Sequence, residues 1–167
     1  MDYRTPNLYE KITEQEPDLV FLSGSSHMLT KPENQRNFEP EMRLIREANF
    51  PILGICYGHQ MIGLAFGARI LDMGHTYRGY ERVKILHDHP VFEGLKSEVR
   101  VSESHRQALA SVPQEFECLA TSASSKVEII AHKSRPTYGF QFHPERSDET
   151  HPDGKRLIQN VLKLARA

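Results

Sequence analysis

Two short stretches of this 167-residue chain carry side chains spaced for covalent chemistry. The first is Gly54-Ile55-Cys56-Tyr57-Gly58-His59-Gln60. It lies between the apolar run Pro51 to Ile55 and a segment in which Met61, Ile62, Leu64, Ala65 and Phe66 cluster on one helical side until Gly67. A nucleophile on a tight strand-to-helix turn has its side chain forced out at the carboxyl end of a sheet, and glycines two positions to either side let strand and helix approach closely. At the mouth of a helix, a thiol also meets unpaired N–H groups and partial positive charge, which favour the thiolate. Lowering a free thiol's pKa of about 8.5 by one to two units corresponds to roughly 1.4 to 2.7 kcal/mol, within reach of one imidazolium partner. The plainer reading of the same residues is a small buried hydrophobe between glycines that permit close packing. Cys118, on a strand with no such surroundings, is assigned to the core.

The second stretch is Gly139-Phe140-Gln141-Phe142-His143-Pro144-Glu145. Pro144 pushes His143 into extended backbone and fixes its own φ. Residues i and i+2 of an extended chain share a side, which can bring the Glu145 carboxylate against the His143 ring. A carboxylate on one ring N–H sets the tautomer and raises the basicity of the other nitrogen, the task of the orienting member of a Cys-His-Glu triad. By itself, His-Pro-Glu is also a common surface turn.

The elements that must position these groups follow from periodicity. Thr5-Pro6 reads as a helix start, with Leu8, Tyr9 and Ile12 at helical spacing and Pro17 as the stop. Leu19 to Leu22 reads as a strand buried on both faces, Ser25 to Asn37 as loop, and Met42, Leu44, Ile45 and Ala48 as a second helix. Short strands are then predicted over 69–71, 80–86, 98–101, 116–121, 127–131 and 138–142, and a closing helix carries Leu157, Ile158, Val161 and Leu162 on its buried stripe. The order predicts an α/β fold with parallel core strands and an antiparallel insertion, in a single domain over residues 1–167.

Charge and composition narrow the function classes. The 21 basic side chains nearly cancel the 22 acidic ones, leaving a net charge of −1. That balance argues against a nucleic-acid or membrane-surface protein held by bulk electrostatics. No apolar run approaches the ~20 residues that span a bilayer, and the sequence reads as soluble and cytoplasmic. Two cysteines are too few for a disulfide scaffold. His87-Asp88-His89 precedes Pro90 and reads as a solvated turn rather than a metal site; His27 and His75 read as surface residues. No metal or cofactor is expected, and no Gly-rich phosphate loop of the Walker type occurs, so nucleotide activation is assigned to another chain.

Together, the two stretches resemble the triad glutamine amidotransferases of the Cys-His-Glu kind, and the resemblance covers nearly the whole chain. Leu22-Ser23-Gly24-Ser25 resembles the family's strand and Ser-Gly-Gly-Pro loop, Gly54 to Gln60 its nucleophile elbow, and Gln141 to Glu145 its His-Pro-Glu end. Ser104-His105, Val112 to Glu117 and Lys126-Val127-Glu128 make it most similar to the glutaminase part of GMP synthetases, in purine biosynthesis. The resemblance implies a flavodoxin-like, mostly parallel central sheet flanked by helices with an antiparallel strand insertion, lacking the usual first strand-helix-strand unit and so N-terminally short. It implies Cys56, His143 and Glu145 as the triad, the N–H of Tyr57 and the loop near Ser25 as the oxyanion hole, and Gly24, Gln60, Ser104 and His105 around the glutamine. It further implies L-glutamine as substrate and, as partner, a separate ATP-dependent synthetase subunit. The sequence departs from the family at Ser25 and Ser26, where glycine and proline are common, and a positive φ at Ser25 would be strained. A γ-glutamyl hydrolase and a catalytically silent regulatory or binding domain of the same fold remain as alternatives.

Overall fold

In the computed structural model, residues 1–2, 5–31 and 37–166 are described. The elements in chain order are α1 (Leu8–Thr13), β1 (Val20–Leu22), α2 (Glu39–Glu47), β2 (Ile52–Ile55), α3 (Tyr57–Ala65), β3 (Ile70–Ile85), β4 (Glu98–Leu109), β5 (Phe116–Thr121), β6 (Ile129–His132), β7 (Thr137–Phe140) and α4 (Asp153–Ala165). Short 3-10 turns cover Pro90–Phe92 and Pro144–Arg146.

All seven strands join one sheet in the order β1-β2-β7-β6-β5-β3-β4. The run Ile52 to Ile55 is buried at every residue because β2 has a parallel neighbour on each side and covered faces above and below. Parallel pairing is confined to β1, β2 and β7, while β6, β5, β3 and β4 extend the sheet antiparallel. The α/β class is as expected, with an antiparallel part larger than the word insertion implies. Its size comes from a hairpin: the two strands predicted over 69–71 and 80–86 are one strand, Ile70–Ile85, whose register against β4 slips between Asp72 and Tyr77. Residues 71–75 of that slip are mostly exposed, which erases the alternation a strand normally shows. β4 likewise continues to Leu109 instead of ending at Val101.

The first helix begins later than Thr5-Pro6 suggests. Asn7, at φ 56°, is its N-cap, and asparagine tolerates that left-handed backbone where most residues do not. Part of the predicted 25–37 loop lies outside the described residues; from Ser25 to Lys31 it has no regular structure. On α4, Leu157 and Val161 are fully buried, while Ile158 and Leu162 sit half-buried at the margin of the stripe. Cys118 is half-buried on β5 and packs against the core, its thiol directed at the Ala120 carbonyl.

One consequence of the topology sets up the site. In parallel strands the carboxyl ends lie on the same side, and Gly54 pairs with both Leu22 and Gly139. The segments following β1, β2 and β7 therefore emerge next to one another, in the crevice where α/β sheets bind ligands.

Candidate active site

Cys56 connects β2 to α3 with φ 52° and ψ −101°, one of three described non-glycine residues at positive φ. Such backbone costs of order 1 to 3 kcal/mol and persists only where surroundings enforce it. Enforcement is visible on both sides. The Cys56 N–H donates to the Phe140 carbonyl at 2.7 Å. A Cβ on Gly54 would come within 2.5 Å of Gly58 backbone, and one on Gly58 within 2.2 Å of the Leu22 carbonyl oxygen, so α3 can start this close to β1 and β2 only with glycine at both places.

His143 follows β7 and is held from across the crevice by a bridge to β4, its N–H donating to the Ser102 carbonyl at 2.8 Å. Nδ1 of His143 lies 2.7 Å from Oε1 of Glu145, the pairing anticipated from i, i+2 geometry, although Pro144 begins a 3-10 turn rather than continuing extended. Burial works against ionisation of Glu145, but the His143 hydrogen bond and its own backbone N–H outweigh it and hold the carboxyl below the usual range. Gly24 packs against the imidazole: a Cβ there would sit 3.2 Å from Cε1 of His143.

These groups line one cavity of about 560 Å³. Gly24, Ser25, Cys56, Gln60, Ser104, His105, His143 and Glu145 all border it, so the structure brings together every site residue inferred from sequence except the side chain of Tyr57. Tyr57 points away, its hydroxyl donating to Glu41 Oε2 at 3.3 Å, while its N–H faces the Cys56 sulfur. The sulfur itself lies 3.8 Å from the Ser104 carbonyl oxygen and 3.9 Å from Nε2 of Gln141.

Three expectations need amendment. The helix mouth was expected to favour thiolate, yet burial pushes the Cys56 thiol up to about 12, with the Tyr57 N–H opposing and the Glu103 and Glu145 carboxyls, when ionised, reinforcing the rise. The resting group is a thiol. Ser25 is absent from the described positive-φ residues, so replacing glycine there carries no backbone strain; its Oγ sits 2.6 Å from Nδ1 of His27, which is exposed as expected but partnered. Gln60 borders the cavity, but its Nε2 donates to the Gln107 carbonyl at 2.7 Å and to Oε1 of Gln141 at 3.2 Å, so its donor is used within the protein.

Sequence reasoning passed over Gln107 and the arginines. Gln107 Nε2 donates to the His27 carbonyl and its Oε1 accepts from Thr30 N–H, which ties the loop after β1 to β4. Arg78, Arg106 and Arg146 supply positive charge around the cavity mouth. The signal for Gln107 was alternation along β4, where Val99, Val101, Glu103, His105 and Gln107 share the buried face.

A strained cysteine elbow that shares its cavity with a carboxylate-bound imidazole, on a sheet of this topology, is the arrangement of a cysteine-dependent amidohydrolase. Residues 1–164 match the family described as Glutamine amidotransferase class-I, and the chain belongs to that family. Among its relatives is a subunit of the glutamine-hydrolyzing GMP synthase of Pyrococcus abyssi, 34% identical over 155 residues that make up 93% of this chain and 79% of the relative. The protein of the same description from Thermoplasma acidophilum is 42% identical over 122 residues, 73% of this chain and 60% of the relative. The crystal structure of a putative GMP synthase subunit from Thermoplasma acidophilum superposes with a TM-score of 0.80 at 33% identity, covering 97% of this chain and 79% of that one.

Proposed function

We propose that this chain hydrolyses L-glutamine to glutamate and ammonia through a Cys56 thioester, and passes the ammonia to a separate ATP-dependent synthetase subunit. The observation that carries the reading is the shared cavity of Cys56 and the His143–Glu145 pair. The carboxylate of Glu145 accepts from Nδ1–H, which leaves Nε2 of His143 as the basic nitrogen. Since the buried thiol gives up its proton only well above neutrality on its own, Nε2 takes that proton as sulfur attacks the side-chain amide carbon. The oxyanion then forms against the Tyr57 N–H, with the loop at Ser25 as the second donor; one such donor is worth about 100- to 1000-fold in rate. Collapse expels ammonia, which carries away the His143 proton, and the same nitrogen next activates water to release glutamate from the thioester. Gly24, Gln60, Ser104 and His105 shape the glutamine pocket.

The GMP synthase subunits among its relatives support a nucleotide-synthesising partner, with purine biosynthesis in the cytoplasm as the setting. The test is glutamate release from glutamine with and without the subunit that activates the nucleotide, beside a panel of γ-glutamyl peptides. Release from glutamine, raised by the partner and abolished in Cys56→Ala, is expected. Faster cleavage of γ-glutamyl peptides would favour a hydrolase instead. A folded chain that neither turns over nor is labelled at Cys56 by an electrophilic glutamine analogue would be a silent domain.

A further inference from the structure

Along β4 the buried face runs Val99, Val101, Glu103, His105, Gln107: two apolar residues, then three polar ones at depths normally reserved for the core. Glu103 is 2% exposed and Glu128, just before β6, is fully buried. Their carboxyl oxygens and a ring nitrogen of His105 lie within 4.8 Å of one another. Neither carboxyl has a lysine or arginine ion pair among the described residues; the charged-group contact of Glu103 is with His105.

The hydrogen bonds of His105 fix where its proton sits. Nδ1 lies 3.0 Å from the Gln107 carbonyl oxygen. A carbonyl only accepts, so Nδ1 carries the hydrogen, and in the neutral ring Nε2 is a bare lone pair. Burial disfavours the imidazolium that would put a second hydrogen there. Yet Nε2 lies 3.3 Å from Oε2 of Glu103. Two acceptors at that distance repel, and neither Glu103 oxygen finds another donor.

We infer that Glu103 is held as a neutral carboxylic acid whose O–H donates to Nε2 of His105, making it a positioning residue for the cavity wall that faces Cys56. Glu128 backs it: Oε1 of Glu128 accepts from the Ser122 hydroxyl at 2.7 Å, and its carboxyl lies in hydrogen-bonding contact with Glu103 as a second acceptor beside the Glu103 proton. Burial, with repulsion from Glu128 and Glu81, lifts the Glu103 carboxyl well above the usual carboxylate range, and burial raises Glu128 as well. Glu81 on β3 is the third carboxylate nearby, and its Oε1 accepts the Ser124 N–H at 3.0 Å. Cys56 lies within electrostatic reach of Glu103, and His59 and His143 within that of His105. A divalent cation would neutralise the cluster too, but a closed structural zinc site uses four protein ligands and three are gathered here.

The consequence rests on the glutaminase reading of the cavity. Ser104, between Glu103 and His105, presents its carbonyl oxygen to the Cys56 sulfur. A protonated Glu103 holds this strand segment through His105 and keeps a negative charge away from the sulfur that must become anionic.

Infrared difference spectra and ring-nitrogen NMR of the full chain test the assignment without needing turnover. Wild type at neutral pH should show a protonated-carboxyl C=O band that shifts on 13C-glutamate labelling and is diminished in Glu103→Gln, with His105 as the Nδ1–H tautomer. In glutamine hydrolysis, Glu103→Gln should recover most of what Glu103→Ala loses, because the amide N–H replaces the acid O–H; about tenfold in kcat/KM separates the two. If Glu103→Ala fails to fold, the wild-type and Glu103→Gln spectra still decide. No carboxyl band attributable to Glu103, an Nε2–H tautomer, or one equivalent of tightly held divalent metal in the purified chain would overturn the assignment. A chain that shows the band but does not hydrolyse glutamine would refute the glutaminase reading and leave the proton where it is placed here.

Discussion

Nδ1 of His143 and Oε1 of Glu145 lie 2.7 Å apart, although the turn at Pro144 carries the backbone between them out of the sheet. In the proposed mechanism this pair holds the imidazole in the tautomer whose Nε2 takes the Cys56 proton. Replacing Glu145 with glutamine keeps the size but allows the amide to donate to Nδ1 and stabilise the wrong tautomer. Glutaminase kcat is expected to drop by about 100- to 10,000-fold with little change in melting temperature, as read in a glutamate-release assay.

Burial of Cys56 leads to a prediction about the resting thiol. In a Cys118→Ala background, thiolate absorbance from Cys56 should be negligible at pH 8 and grow only towards pH 12. Half-titration near neutrality would instead show a preformed thiolate–imidazolium pair.

Glu41 supplies a pH dependence of stability unrelated to catalysis. Burial raises its carboxyl to about 7 from a usual 4.5, against the smaller opposing effect of the Tyr57 hydroxyl. The folded state therefore binds a proton that the unfolded chain has released between those values, and stability declines as pH rises from about 4.5 to 7, by on the order of 3 kcal/mol in total. Glu41→Gln should flatten that part of the profile in urea melts, gaining most at pH 8.

Gln60 ties three segments together through one amide nitrogen. Gln60→Ala leaves the buried Gln141 side-chain oxygen without that donor, at about 1 to 3 kcal/mol, while the Gln107 carbonyl keeps the His105 Nδ1–H. Thermal denaturation should register the loss, and KM for glutamine should rise because β4 and the Gln141 segment both border the site.

Much of the lining of the candidate site was legible in the sequence. Cys56, His143 and Glu145 could be read because each depends on a short local pattern: a strand-to-helix turn between glycines, and a proline-set i, i+2 pair. β2 was equally plain as an uninterrupted apolar run, but the same pattern at Leu19 to Leu22, read as buried on both faces, belongs to a strand at the end of the sheet order with Phe21 exposed. The β3–β4 hairpin was not plain, because residues 71–75 are mostly exposed and carry no alternation. Local pattern also misjudged the thiol. A helix mouth can be inferred from sequence, but the desolvation that dominates at Cys56 arises from Ser104, Gln141 and the rest of a wall assembled from distant parts of the chain. Glu103 escaped notice because a buried acid announces itself only when its strand partners are known.

The left-handed backbone at Cys56 also makes this elbow the place where the fold gives up robustness to hold a side chain at the cavity. A glycine there relaxes at no steric cost into the shape that cysteine tolerates under protest, so Cys56→Gly should melt above Cys56→Ala by several degrees, an inert protein sturdier than one that keeps a side chain.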